Sequence, residues 1–204
     1  LDIVRDATWW PRIRRTALET IRRTGERVAD GYGRLKVLLE DISNETVSDP
    51  DDDLMGYLLM ALYPQTVTSA EVLDHLHAPK RRNYFGSYLN FWDQQLLDQS
   101  SDSDIRILLD ELCTRTGILQ PMLDNHHLRD LTAGLLARGL DVYGESIDSV
   151  RLYEWLGVAL DKYGHPHQGS NKHLDSIRSW LHAHPEIYKT IIGVGLGRCV
   201  EKEN

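Results

Sequence analysis

The sequence has few cysteines and prolines and no long apolar run. Its 204 residues include 2 cysteines and 7 prolines, which excludes a disulfide scaffold and a collagen-like chain. No apolar run approaches the roughly 20 residues that span a bilayer. Hydrophobic residues make up 41% and charged residues 26%, as in a globular chain with a substantial core. Cys113 and Cys199 each lie beside apolar residues, which predicts two reduced, buried thiols in a cytoplasmic protein, with a single disulfide as the alternative.

Basic residues are also in deficit. There are 31 acidic and 23 basic residues, for a formal net charge of −8. An acidic chain repels phosphate backbones, so nucleic acid is a poor default partner. The first residues do not predict a signal peptide, and both chain ends look like cuts. We expect residues 1–204 to form a single helical-repeat segment of a larger multidomain protein, with a sub-boundary near 43–53.

Motifs for nucleotide binding and catalysis are missing from the sequence. There is no phosphate-binding loop, no Gly-x-Ser-x-Gly elbow, no His-Glu-x-x-His and no Cys-x-x-Cys. The glycines of 193–197 have the wrong spacing for a dinucleotide site and favour close helix packing or a fraying chain end. We therefore expect no catalytic residue, no cofactor and no enzymatic activity in this segment, whatever its parent protein does.

Apolar residues recur at helical spacing along the whole chain. The pattern predicts about ten helices and an all-α fold. Helix pairs repeat after about 40 residues, the length typical of HEAT and armadillo repeats, which predicts an α-solenoid. Trp9 and Trp10, before the first long helix, are expected to cap the first helix pair or to pack on an upstream domain.

Several residues are expected to begin or end these helices. Pro11 is a good first helical residue, and Thr68–Glu71 has the spacing of a capping box. Ser101–Asp104 is expected to cap the helix that follows it. Gly139 is expected to end one helix, and Ser146 to begin the next.

The acid run of residues 49–53 has two interpretations. It could bind a cation, or its carboxylates could cap the free N–H groups of the helix that follows. Leu54 and Leu58 continue at helical spacing, so the second interpretation is favoured.

Histidines cluster near the C-terminus, at His165, His167, His173, His182 and His184. If at least three converged they could hold zinc, and the chain would be a small histidine-based metal enzyme. Positions on the surface or at helix ends, where an imidazolium suits the helix dipole, are the favoured interpretation.

One basic stretch is interleaved with aromatic residues. It supplies our partner-binding candidates, Lys80, Arg81, Arg82, Tyr84, Tyr88 and Trp92, because arginines and exposed aromatics concentrate binding energy. The same stretch could grip a phosphate and stack bases, which would make the chain a nucleic-acid-binding helical repeat. It could equally be a basic turn before a buried aromatic helix, and aromatic residues that prove buried are not contacts.

Four segments together carry a family resemblance. Asp49–Pro64, with the letters DPDDDLMGYLLMALYP, resembles a segment that follows the ATPase core of many bacterial NACHT-type NTPases of the STAND class. Thr68–Glu71, Asn83–Trp92 and Leu152–Gly157 resemble later helices of the same region. The similarity extends over roughly residues 12–165.

The resemblance implies a HEAT-like array between a nucleotide-binding module and a sensor. The parent protein would be a cytoplasmic, ATP-dependent switch in antiphage defence, and an oligomeric parent is compatible with this. The segment itself would recognise or transmit. Its partners would be the NTPase or effector domains of its own chain or a foreign trigger protein, with no membrane involved. No nucleotide-binding or catalytic residue of the family matches a position here.

Overall fold

A computed structural model describes residues 1–24, 30–81, 86–115, 126–159 and 172–202. Side chains are described throughout these ranges except at 126–129, 159, 172 and 197–202. All regular secondary structure in the described ranges is helical, so the all-α class is confirmed. None of the described helices is both long enough and apolar enough to cross a membrane.

The chain divides into two compact units, which are Leu1–Ser100 and Ser101–Asn204. Residues 43–53, where we expected a sub-boundary, lie inside the first unit. The single helical-repeat segment and its solenoid arrangement stay predictions.

The first unit is built around one apolar helix. Its elements are α1 (Asp2–Arg5), α2 (Pro11–Thr24), α3 (Gly31–Ser43), α4 (Asp53–Leu62), α5 (Ser69–Val72), a 3-10 turn (Leu73–His75), α6 (Ser87–Asn90), a π-helical segment (Phe91–Gln95) and α7 (Leu96–Gln99). Helix α4 packs against α2, α3 and α6, and Leu54, Leu58 and Leu59 are buried. At Gly56 a Cβ atom would lie 2.1 Å from the Tyr88 main-chain nitrogen, so α4 and α6 meet there at backbone distance.

The predicted helix starts are confirmed at three places. Helix α2 begins at Pro11. Thr68 and Glu71 form a complete capping box at α5, and Ser101 and Asp104 form another at the first helix of the second unit. Each side chain accepts or returns a hydrogen bond that the first helical turn would otherwise leave unmade.

The second unit contains five helices in the described ranges. They are α8 (Asp102–Thr114), α9 (His126–Tyr143), α10 (Ser149–Ala159), α11 (Lys172–Ala183) and α12 (Pro185–Lys202). Helix α9 packs against α8, α10 and α11, and α10 packs against α12. At Gly195, in α12, a Cβ atom would lie 2.9 Å from the Tyr153 ring, whereas at Gly193 no atom lies within 4 Å of the Cβ position. Close helix packing is therefore confirmed at Gly195 and not at Gly193.

Two predicted helix boundaries in this unit are wrong. Gly139 does not end a helix, because α9 continues to Tyr143. A Cβ atom there would lie 2.5 Å from Leu109 Cδ1 and 3.3 Å from the Trp155 ring, so Gly139 serves helix packing. Ser146 does not begin the next helix either. Helix α10 begins at Ser149, and the Asp148 carboxylate accepts a hydrogen bond from the Arg151 main-chain nitrogen at 2.9 Å.

Cys113 is a free thiol and is half-buried, so the prediction of a fully buried thiol is wrong for it. Burial raises its pKa to about 11, which keeps the thiol protonated and unreactive at neutral pH. Cys199 lies outside the described side chains.

Candidate functional site

The acid run caps helix α4. The Asp49 side chain accepts hydrogen bonds from the main-chain nitrogens of Leu54 at 3.3 Å and Met55 at 2.9 Å. These are N–H groups of the first helical turn, which have no partner within the helix. Asp49 is 4% exposed, and this burial raises its pKa to about 6. The helix-capping interpretation is therefore confirmed at Asp49.

Asp52 ties the segment after α5 to the start of α4. It is 1% exposed and has a φ angle of 61°. Its Oδ2 accepts from the Lys80 main-chain nitrogen at 2.8 Å, and its Oδ1 lies 3.2 Å from Lys80 Nζ. The same Nζ donates to the Asp49 main-chain oxygen at 2.8 Å. Lys80, which we predicted to contact a partner, is thus engaged within the first unit.

Asp53 holds the start of α6 in the same way. Ser87 donates to the Asp53 carboxylate from its main-chain nitrogen at 3.1 Å and from its hydroxyl at 2.8 Å. Arg15, on α2, lies 3.6 Å from the other carboxylate oxygen. Asp49, Asp52 and Asp53 therefore all bind groups of this chain. Within the described residues no three His, Cys, Asp or Glu side chains are placed to hold a metal ion.

The predicted aromatic contacts need correction. Tyr88 and Trp92 are 1% and 0% exposed, so they belong to the core and are withdrawn as partner contacts. The Tyr88 hydroxyl accepts from the His77 main-chain nitrogen at 2.8 Å, and its ring stacks on His77 at 4.8 Å between centroids. Arg81 is exposed. Arg82 and Tyr84 lie outside the described residues.

A polar cleft of about 260 Å³ opens beside Lys80. It is lined by Ser43, Glu45, Met55, Asp74, His75, His77 and Lys80. Sequence reasoning missed the pairing of Ser43 with His75, whose Oγ and Nδ1 atoms are 2.8 Å apart, because the two residues are distant in the chain and match no motif.

The Ser43–His75 pair is not arranged as a nucleophile and its base. The Ser43 hydroxyl has one proton, and it donates to the Leu39 main-chain oxygen at 2.9 Å. While the hydroxyl makes this bond, His75 Nδ1 is the donor toward Ser43 and is not placed to take the serine proton as a general base would. Burial lowers the pKa of His75, and a neutral ring donating from Nδ1 fits this geometry.

The C-terminal histidines are described only in part. His165 and His167 lie outside the described residues. His182 is exposed. His184 follows the last residue of α11, with Nδ1 2.8 Å from the Trp180 main-chain oxygen and Nε2 3.0 Å from Glu145 Oε1. Both ring nitrogens of His184 are thus occupied by hydrogen bonds and are not available to a metal ion.

Large apolar side chains are exposed at the N-terminus of the first unit. The exposed fractions are 43% for Ile3, 44% for Trp9, 77% for Trp10 and 42% for Ile13. We call these four residues the N-terminal surface. Exposure of large apolar side chains in one short stretch marks an interaction site more often than isolated exposed residues do. The first helix pair therefore leaves Trp10 largely uncovered and covers about half of Trp9.

A buried hydrogen bond joins the two helices that carry the N-terminal surface. Arg14 is 3% exposed, and its Nε donates to the Val4 main-chain oxygen at 2.7 Å. This bond fixes α1 against α2. Helix α2 contains five arginines and one glutamate, so this part of an acidic chain is locally basic.

Comparisons with known proteins found no match to this chain. No family model, no curated protein and no solved structure matches the chain. The resemblance to STAND-class NTPases stays a prediction.

Proposed function

We propose that this chain is a non-catalytic interaction module that binds a protein partner through the N-terminal surface. The module would be the helical sensor-transducer region of a NACHT-type NTPase of the STAND class, of the kind that acts in bacterial antiphage defence. Its partner would be the ATPase module of the same parent protein. In the family that the sequence resembles, this region follows the ATPase core, so α1 and α2 would lie nearest to it along the chain.

The exposure of Trp10 carries this proposal. Tryptophan and arginine are the residues most enriched among those that dominate binding energy at protein interfaces. Trp10 is 77% exposed and precedes a helix with exposed arginines. A partner with an apolar pocket and an acidic rim would cover the tryptophan. The negative charge of that rim would speed association through the exposed Arg12 and Arg22.

The test is a binding measurement between the purified chain and the ATPase module of its parent, by biolayer interferometry. Replacing a tryptophan at the centre of an interface typically costs about 2–4 kcal/mol, which corresponds to roughly 30- to 900-fold in Kd. We expect a loss of this size in the Trp10→Ala variant. Val150→Ala is the control, because Val150 is an exposed apolar residue of the second unit (45%), and we expect its Kd to stay within about twofold of the wild type.

Three results would contradict the proposal. Absence of saturable binding would show that the chain does not bind the ATPase module. Binding that is insensitive to Trp10→Ala would show that the N-terminal surface is not the binding site. Salt-dependent binding of single-stranded RNA or DNA, or metal near stoichiometry in elemental analysis, would favour the nucleic-acid or the metal-enzyme alternative.

A further inference from the structure

His184 occupies a position that demands protons on both ring nitrogens. Its Nδ1 lies 2.8 Å from the main-chain oxygen of Trp180, and its Nε2 lies 3.0 Å from Glu145 Oε1. A carbonyl oxygen and an ionised carboxylate can only accept hydrogen bonds. A neutral imidazole has one N–H group and would turn a lone pair toward one of these oxygens. The imidazolium alone satisfies both contacts.

A ring contact also favours the imidazolium. The ring stacks on the indole of Trp180, with centroids 4.0 Å apart, and an aromatic face attracts a cation. His184 lies between the end of α11 and the start of α12, so the two helix dipoles act on its charge in opposite directions. These contacts raise the pKa of His184, the hydrogen bonds to Trp180 and Glu145 contributing most.

The contact joins α11 to the turn between α9 and α10. Glu145 lies in that turn, and so does Gly144, where a Cβ atom would be 2.3 Å from Trp180 Cζ2. The indole therefore rests directly on the backbone of the turn, and the imidazolium bridges from the same helix to the adjacent carboxylate.

The other charged side chains that the structure describes on these elements are engaged elsewhere or exposed. Arg178 pairs with Asp175 on α11 at 3.2 Å, and Lys189 pairs with Glu186 on α12 at 2.7 Å. Asp148 caps α10, and His182 and Asp141 are exposed. Glu145 is the charged group that acts on His184.

We propose that Trp180, His184 and Glu145 form a pH-sensitive clamp that holds the end of α11 on the α9–α10 turn. The clamp is closed while His184 is an imidazolium. Because the pKa of His184 in the folded chain is raised, its contribution to stability is fully present below the ordinary histidine pKa of about 6.5. The contribution is lost as pH rises through the folded-state pKa, whereas the contact of the Trp180 indole with the turn does not depend on pH.

The proposal is tested by NMR titration of the histidine ring protons in the wild-type chain and in Glu145→Gln. We expect His184 to titrate above the ordinary histidine pKa of about 6.5. In Glu145→Gln the His184 midpoint should move down toward that ordinary value. Glu145 has 78% of its side chain exposed, so this substitution leaves the packing intact.

A second measurement tests whether the raised pKa of His184 contributes to the stability of the fold. The difference in Tm between the wild type and Glu145→Gln should be larger at pH 6 than at pH 9. A His184 midpoint at or below the ordinary histidine value of about 6.5 would overturn the proposal. So would a midpoint that Glu145→Gln leaves unchanged, or a difference in Tm that is equal at both pH values.

Discussion

Replacing Gly56 with alanine should destabilise the first unit although alanine is the better helix former. The added Cβ atom would lie 2.1 Å from the Tyr88 nitrogen and 2.3 Å from the Ser87 carbonyl carbon. Non-bonded heavy atoms prefer separations of about 3.5–4.0 Å. Since both neighbours are main-chain atoms, no change of rotamer relieves the contact, and α4 and α6 must move apart by about 1 Å or more.

The magnitude follows from two opposing effects. Alanine in place of glycine inside a helix gains about 1 kcal/mol. Overpacking a well-packed core costs about 1–3 kcal/mol, and the upper end applies where backbone has to move. We therefore expect Gly56→Ala to lower the free energy of unfolding of the first unit by about 2 kcal/mol. Gly157, in α10, has no atom within 4 Å of its Cβ position, so Gly157→Ala should raise stability by about 0.5–1 kcal/mol.

Native-state hydrogen exchange suits this comparison because it reports opening free energies for each unit separately. Amides of α4 should lose protection in Gly56→Ala, and amides of α10 should gain it in Gly157→Ala. Unchanged or increased protection of α4 in Gly56→Ala would refute the close approach of α4 and α6.

Two further predictions concern the acid run. Lys80→Ala should lower the free energy of unfolding by about 1–3 kcal/mol, because it leaves the buried Asp52 carboxylate without its cation. The control Arg81→Ala should change the free energy of unfolding by less than about 0.5 kcal/mol. Equal effects of the two substitutions in urea denaturation would contradict the Lys80–Asp52 ion pair. The pKa of Asp49 is raised to about 6 in the folded chain, so its contribution to stability is present below about pH 4 and is lost as pH rises through 6. Asp49→Asn should therefore gain stability relative to the wild type between pH 4 and 7, and a pH-independent difference in urea midpoint would contradict the raised pKa.

Local signals predicted local structure well. The helical spacing of Leu54, Leu58 and Leu59 identified α4, and the capping boxes identified the starts of α5 and α8, because the residues that make these contacts lie within one or two turns of each other. Gly139 shows where this reasoning fails. A glycine at that spacing resembles a helix end, but its actual contacts are Leu109 and Trp155, which are distant in the sequence.

The site residues were harder to predict for the same physical reason. Lys80 looked like a free basic residue because its partner Asp52 is 28 positions away, and no spacing rule relates the two. The burial of Tyr88 and Trp92 depends on how α6 and the π-helical segment pack against α4. Their helical spacing is equally compatible with a core stripe and an exposed one, so only the tertiary arrangement decides between them.

The π-helical segment lets the first unit tolerate a change of chain length at one place. Such a segment accommodates one residue more than the α-helical path would. Removing Gln94, the exposed residue of this segment, would therefore let the helix return to regular winding while the residues after it keep their faces. Leu96, which is 0% exposed, would stay in the core. A further inserted residue has no such provision and would rotate the later positions by roughly 100°, so this stretch tolerates a deletion better than an insertion.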